Sequence, residues 1–510
     1  MSARRAASLA ALAAALTVAA FPPVGAWPLA LVMLTPLAFA LASATPLAAF
    51  RLTYTYSIAM AVVIVRWLVH ALATEYQTPL TTAWGVTVGL VAVYALVPAL
   101  AMAGFAWLRP RMSSAFAPLA FAAFYAFSEW LRAAPLGLPW LLAGHALAPA
   151  PLLLQSADAF GATGVSFLTL AVSGGTGFAL AARSARPLLA PALCWALALG
   201  YGALRSATLP AGEPLRAGVV QASIPQRDRW REGFALAHAE DHLALTRELL
   251  ARAGALDVVV WPETAIDDVL ERDARLLAAV RRQVEASDVP IVTGAQRQIG
   301  GVSNSAFLVI PRAGLIESYE KQWLVPFAEY EPAWGRALRP VFAGIARQVP
   351  YRAGSAPRVF RRLGVPFATP ICFEITYPSL AREFANGGAR VLLNLSNDAW
   401  FGRTGYAEMH LAHAIFRAIE LRTPVVRAAN TGVSALVDAR GRTLARLEVD
   451  ARGGISAQLA ANASPTLYAR LGDAPALALL SAAALAALAP RRRSGSLAVT
   501  AVDRGAGADR

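Results

Sequence analysis

The stretch DVVVWPE, residues 257–263, reads as a short strand with a carboxylate just past its end. Its valines and tryptophan favour extended chain, because β-branched and aromatic side chains fit a pleated surface. Working outward, residues 217–222 read as a first strand closed by Ser223-Ile224-Pro225-Gln226. Leu236, Ala239, Leu243 and Leu250 then share one face of a helix. A helix is expected near 267–286, followed by strands at 290–294, 306–310 and 316–321, the last two paired as a hairpin around Gly314. Further strands are expected at 365–372, 391–394, 425–429 and 434–438. Strands alternating with helices predict a layered α/β domain over 213–466, with functional groups gathered at strand ends.

Glu263, Lys321 and Cys372 each stand at or just past the end of an apolar strand. If those strands are neighbours in one sheet, the three residues converge at one edge. The trio makes chemical sense. A thiol is only slightly ionised at neutral pH, so a cysteine nucleophile needs a base or a cation beside it. A carboxylate can take and return the proton, and an ammonium can stabilise both thiolate and oxyanion. Singly, each has a plainer account: Glu263 as a helix cap, Lys321 as a surface partner, Cys372 as a small buried apolar residue.

The rest of the chain is far less polar. Of 510 residues, 57% are hydrophobic and only 15% charged, and the apolar residues concentrate in 6–204 and 474–489. Eight membrane spans are expected, at 6–22, 27–44, 52–72, 83–107, 115–132, 160–182, 187–204 and about 471–489. The first follows Arg4 and Arg5 and has the alternative reading of a signal peptide, although the next run begins almost at once, as in a helical hairpin. Arginines mark every second loop: Arg4/Arg5, Arg51, Arg109/Arg111, Arg183/Arg186 and Arg491/Arg492/Arg493. By the positive-inside rule those loops and both termini are cytoplasmic, and 213–466 lies outside the cytoplasm. The net charge of +14 then needs no nucleic acid to explain it. The expected organisation is a membrane domain over 1–212, a catalytic domain over 213–466, a final span over 467–490 and a basic tail over 491–510.

This topology isolates Cys372. The chain has two cysteines and Cys194 lies in the seventh expected span, so Cys372 is the one thiol expected outside the cytoplasm.

Three motifs carry a family resemblance: WPETAI around Glu263, YEKQWLVPFAEYEP around Lys321 and CFEITYP around Cys372 resemble the catalytic motifs of the nitrilase superfamily. With the multi-span front half, and with SEWLRAAPLGLPW (128–140), GATGVSFL (161–168), NLSNDAWFG (394–402) and RAIELRTPVVRAANTG (417–432), the chain resembles the bacterial apolipoprotein N-acyltransferases along nearly its whole length. The resemblance implies an αββα sandwich with Glu263 as general base, Lys321 as oxyanion stabiliser and Cys372 as nucleophile. Glu329 and Glu374 match supporting acidic positions. Trp230 matches a residue linked to substrate binding, and Phe373 stands where some members carry a tyrosine, leaving backbone amides after Cys372 to complete an oxyanion hole. The implied reaction moves an acyl chain from a phospholipid through a Cys372 thioester to the α-amine of a diacylglyceryl-cysteine on an apolipoprotein. It calls for no metal or other cofactor, and a monomer in the bacterial inner membrane is expected.

Residues 332–350 place Trp334, Leu338, Phe342 and Ile345 along one face, with arginines beside them. This amphipathic stretch reads equally as a mobile arm at the headgroup interface, Trp334 and Phe342 meeting substrate, or as a helix on the domain's own sheet. Arg66, His70, Glu129 and Arg132 are ionisable groups near membrane depth, placed for headgroup contact or, for Glu129 and Arg132, for pairing. His410 and His413 share a helix face with Phe416, which favours a packed or solvated helix over a ligand set. Two other functions compete: a membrane-tethered nitrilase-like amidase or hydrolase using water as acceptor, and a transporter or receptor whose outer domain only binds. The second would call for charged residues at the midplane, and the spans have few.

Overall fold

The computed structural model describes residues 2–229, 233–333, 335, 351–461 and 464–488. Most of the 332–350 stretch and the basic tail lie outside the described residues.

The apolar front half folds as α1 (Ala3–Ala20), α2 (Thr35–Leu41), α3 (Pro46–Ile64), α4 (Arg66–Thr74), α5 (Leu80–Leu108), α6 (Ala117–Ala133), α7 (Ala157–Ala182) and α8 (Arg186–Ala207). Among the described residues, four helices are long and apolar enough to cross a membrane: Pro46–Ile64, Leu80–Arg111, Ala157–Ala182 and Arg186–Ala207. The eight apolar runs thus do not map one to one onto long helices. The 27–44 run is a 3-10 turn, Trp27–Leu31, and the seven-residue α2, each with a proline in its first turn. The 52–72 run breaks at Val65 into α3 and α4. The 115–132 run is the 17-residue α6. Hydropathy does not distinguish an apolar side chain facing lipid from one facing protein. Leu37, Ala38 and Leu41 of α2 are fully buried. They pack on α7 where Gly177 leaves room: a Cβ there would stand 2.6 Å from the Ala38 Cβ. Nor do Glu129 and Arg132 pair. Glu129 accepts the Ala143 N–H at 3.0 Å, and Arg132 donates to the Trp140 carbonyl and lies over the Tyr94 ring.

The α/β part runs β1 (Glu213–Gln221), α9 (Ala235–Ala253), β2 (Val258–Val260), α10 (Ala274–Ser287), β3 (Ile291–Gln298), β4 (Val302–Ile310), β5 (Gly314–Glu320), β6 (Phe367–Ala368), α11 (Pro378–Asn386), β7 (Val391–Ser396), α12 (Tyr406–Leu421), β8 (Val425–Ala429), β9 (Ser434–Val437), β10 (Thr443–Leu447) and β11 (Gly453–Ala461). Two short helices follow, α13 (Leu467–Leu471) and α14 (Ala474–Leu488). One sheet has the order β11-β1-β2-β3-β4-β5, the other β10-β9-β8-β7-β6. Side chains alternate between two cores, as the two-residue period of a strand requires. Val258 and Val260 join the core shared with Leu392 and Val426 of the second sheet, while Val259 and Trp261 pack with Leu243 of α9 and Val280 of α10. The result is an αββα sandwich.

Helix α12 joins this sandwich to the front half. It packs on β8 and β9 and also on α7, and every residue except Glu408 is buried. The inter-sheet core and the core among the membrane-half helices are therefore one continuous cluster. Buried charge accompanies it. Asp158, at the start of α7, accepts Tyr201 Oη at 2.7 Å and Arg205 Nε at 2.9 Å from α8, and Arg422 Nε at 3.0 Å from the residue capping α12.

Candidate active site

Glu263 follows β2 on a loop lying flat against β3, and a glycine there permits this: a Cβ at Gly294 would come within 2.7 Å of the Glu263 Cα. Lys321 follows β5, its backbone N–H donating to the Asn304 carbonyl of β4 at 2.9 Å. Lys321 Nζ donates to Glu263 Oε1 at 3.2 Å and to Glu329 Oε1 at 2.9 Å. Asn304 Nδ2 donates to the same two oxygens, at 2.7 and 3.0 Å, and the Val325 N–H holds Glu329 Oε2 at 2.8 Å. Lys321 is 1% exposed. Burial alone would lower its pKa, but Glu263 and Glu329 outweigh it and hold the ammonium well above the usual lysine range.

Cys372 opens a 3-10 turn, Cys372–Thr376, with φ of +52°, a left-handed conformation uncommon outside glycine. Pro378 then starts α11, so Pro370 and Pro378 bracket a strand-to-helix turn that presents the sulfur. Burial pushes the thiol well above its usual range and the Glu263 charge adds to this; Lys321 and the Asn397 backbone N–H act the other way. At rest the sulfur is a neutral thiol beside a carboxylate and a cation, so attack requires the proton to move first.

Glu374 ties the two halves of this arrangement together. Its Oε1 accepts Tyr319 Oη at 2.9 Å, the Gln322 N–H at 2.7 Å and the Trp323 N–H at 3.1 Å, and its Oε2 accepts the Ile371 N–H at 2.7 Å. One buried side chain thus fixes the backbone just after Lys321 and just before Cys372. Burial raises its pKa to about 7, against these donors and Lys321.

Phe373 turns its ring to Trp140 (centroids 6.1 Å) and Tyr377 (5.1 Å). From Trp140 an aromatic wall continues through Tyr406 to Trp67 of α4, each step 5.0 Å. Beside it, a cleft of about 530 Å³ opens between His70 and Thr74 of α4 and a wall of Gln226, Asp398 and Thr431.

The structure therefore brings Glu263, Lys321, Cys372, Glu329 and Glu374 together, but not along one sheet edge. Glu263 and Lys321 come from β2 and β5 of the first sheet, Cys372 from beyond β6 of the second. Convergence is across the sandwich. Trp230, Trp334 and Phe342 lie outside the described residues.

Several buried polar groups around Cys372 escaped the sequence reading. Asn304 bridges the two carboxylates, as above. Asp398 takes Arg427 at 2.7 Å, with His410 Nδ1 at 3.0 Å, and His410 Nε2 lies 3.2 Å from the Cys372 carbonyl oxygen. Burial and the Arg427 charge hold His410 below its usual range, while Arg427 and His410 overcome burial to keep Asp398 well below the carboxylate range. The available signal was Asn394 and Arg427 inside otherwise apolar strands, since buried polar groups need partners. His410 and His413 are packed, as one of the two helix readings had it, and not solvated: both are at most 1% exposed.

Comparison with known proteins bears on both halves of the chain. Residues 13–175 match the family described as apolipoprotein N-acyltransferase N-terminal domain, and residues 216–466 match carbon-nitrogen hydrolase. An apolipoprotein N-acyltransferase of Geobacter metallireducens is 30% identical over 507 residues, covering 95% of each chain. Another, of Bradyrhizobium diazoefficiens, is 33% identical over 402 residues, 74% of this chain and 73% of the relative. Among solved structures, a nitrilase-superfamily amidase of Nesterenkonia AN1 aligns at TM-score 0.39 and 17% identity, covering 53% of this chain and 95% of that one.

Proposed function

The chain belongs to the apolipoprotein N-acyltransferase family, and from that premise we propose that Cys372 carries the acyl group between a membrane phospholipid and the α-amine of a diacylglyceryl-cysteine on an apolipoprotein. The observation that carries this reading is the buried juxtaposition of Cys372, Lys321 and Glu263. Glu263 takes the thiol proton as sulfur attacks the ester carbonyl, and the Lys321 ammonium and backbone amides after Cys372 face the oxyanion. Collapse forms the thioester and breaks the ester C–O bond, and Glu263 returns the proton to the departing lysophospholipid oxygen. The α-amine then attacks the thioester, Glu263 takes its proton, and the thiol is restored as the amide forms. Glu329 holds Lys321 between two carboxylates, and Glu374 fixes both strand ends.

The enzyme is an acyltransferase and a membrane protein. In our reading it works as a monomer in the bacterial inner membrane, with eight membrane-embedded segments, catalytic residues 213–466 outside the cytoplasm and both termini inside. Residues 1–212 and 467–490 form its anchors. Trp230, Trp334, Phe342 and Phe373 contribute to substrate binding. The alternating arginine loops support the orientation. Single-cysteine labelling at 73–82 from outside and at 183–186 from inside tests it; the opposite pattern overturns it.

Intact-protein mass spectrometry after incubation with phospholipid alone tests the chemistry. An acyl adduct on the wild type, absent from Cys372→Ala, is expected. Active protein without an adduct overturns the thioester, and, once a diacylglyceryl-cysteine peptide is added, free fatty acid in place of acylated peptide would return the reading to a hydrolase.

A further inference from the structure

We propose that His410 is a positioning residue for the nucleophile: it grips the Cys372 carbonyl and so holds the left-handed turn that aims the sulfur at Glu263 and Lys321. The inference rests on the reading of Cys372 as the nucleophile. His410 Nε2 lies 3.2 Å from the Cys372 carbonyl oxygen. A carbonyl oxygen only accepts, so Nε2 carries a proton directed at it. On its other side Nδ1, unprotonated in that tautomer, accepts from the Arg427 guanidinium at 3.1 Å, with Asp398 Oδ1 3.0 Å away. Asp398 is itself held by Arg427 at 2.7 Å and by Ser396 Oγ at 3.0 Å.

Arg427 also reaches the same carbonyl by a second route. It donates to Asn394 Oδ1 at 2.5 Å, and Asn394 Nδ2 faces the Pro370 carbonyl at 2.9 Å and the Cys372 carbonyl at 3.5 Å. One guanidinium thus anchors both groups that meet the backbone oxygen of residue 372, and all of these side chains are buried. A cysteine at φ +52° occupies a sparsely populated region and persists only where its surroundings over-determine it. Releasing the carbonyl lets the turn relax and moves the sulfur, while leaving the lipid-binding surfaces in place.

The test uses full-length enzyme, vesicles of phosphatidylethanolamine and phosphatidylglycerol, and a diacylglyceryl-cysteine peptide. His410→Leu removes the donor and His410→Gln restores one. Cys372→Ala is run alongside, with melting midpoints for all. The expected result is that His410→Leu lowers kcat and the iodoacetamide alkylation rate of Cys372 by roughly 10- to 100-fold. KM for the peptide should stay within about twofold of wild type, since uniform binding is untouched, and His410→Gln should recover most of the loss. Full activity in His410→Leu overturns the proposal. So does a loss that Gln does not recover and that comes with a lowered melting midpoint, which would make His410 a packing residue. Activity in Cys372→Ala would instead remove the nucleophile reading on which the proposal stands.

Discussion

Glu263 acts on Cys372 in two opposed ways. It is the proposed base, yet its charge helps hold the thiol protonated, second only to burial. Neutralising it with Glu263→Gln should therefore lower turnover by about 10²- to 10⁴-fold, the usual range for a general base. The same change should speed alkylation of Cys372 at pH 8, because the thiolate is then easier to form. Slower alkylation would contradict the electrostatic assignment. At Glu374, four donors converge on one side chain. Glu374→Ala leaves three backbone N–H groups and the Tyr319 hydroxyl without it and should cost about 3–5 kcal/mol, read from denaturant melting. Its folded pKa near 7 lies above the ordinary 4.5, so across that window the native state binds the proton more than the unfolded chain does. Its contribution is full below the window and declines as pH rises through it, by up to ~1.4 kcal/mol per pH unit. Glu374→Ala should flatten that slope. The sequence exposed Glu263, Lys321 and Cys372 because each ends an apolar run. It left Glu374 without a physical role because its donors Gln322 and Trp323 lie some fifty residues away.

Strands were easier to read than sheets. The valines of β2 and the hairpin of β4 and β5 were legible because β-branched runs and a glycine turn are local signals. Which strand joins which sheet is set by long-range pairing, so the sequence left the shared edge conditional, and the three residues converge across the two sheets instead. The same limit applies to helices: hydropathy marks the 27–44 run as apolar, but it does not foresee that α2 turns Leu37, Ala38 and Leu41 onto α7. An element-scale consequence concerns β3. Gly294→Ala would drive a methyl into the Glu263 loop, costing about 1–3 kcal/mol by overpacking. It should also lower kcat more than melting stability alone explains, because the carboxylate is displaced; unchanged kcat in folded Gly294→Ala would show that the loop yields without moving Glu263.

Across the molecule, one cluster of buried side chains runs from the membrane-half helices through α12 into the sandwich, with Asp158 and Arg422 buried at the junction. Asp158→Ala strands Arg422 and should destabilise the protein by about 3–5 kcal/mol, whereas breaking the part-exposed Arg446–Glu408 pair with Glu408→Ala should change stability by ~1 kcal/mol or less. Melting in one detergent compares the two, and equal effects would refute the ranking. A shared core also makes the surrounding lipid or detergent a thermodynamic partner of the catalytic residues. Whatever solvates the apolar helices stabilises the folded state by mass action, and through α12 that stabilisation reaches the turn at Cys372. The reactivity of a single thiol should therefore report on bilayer composition, even though that thiol is buried within the α/β part.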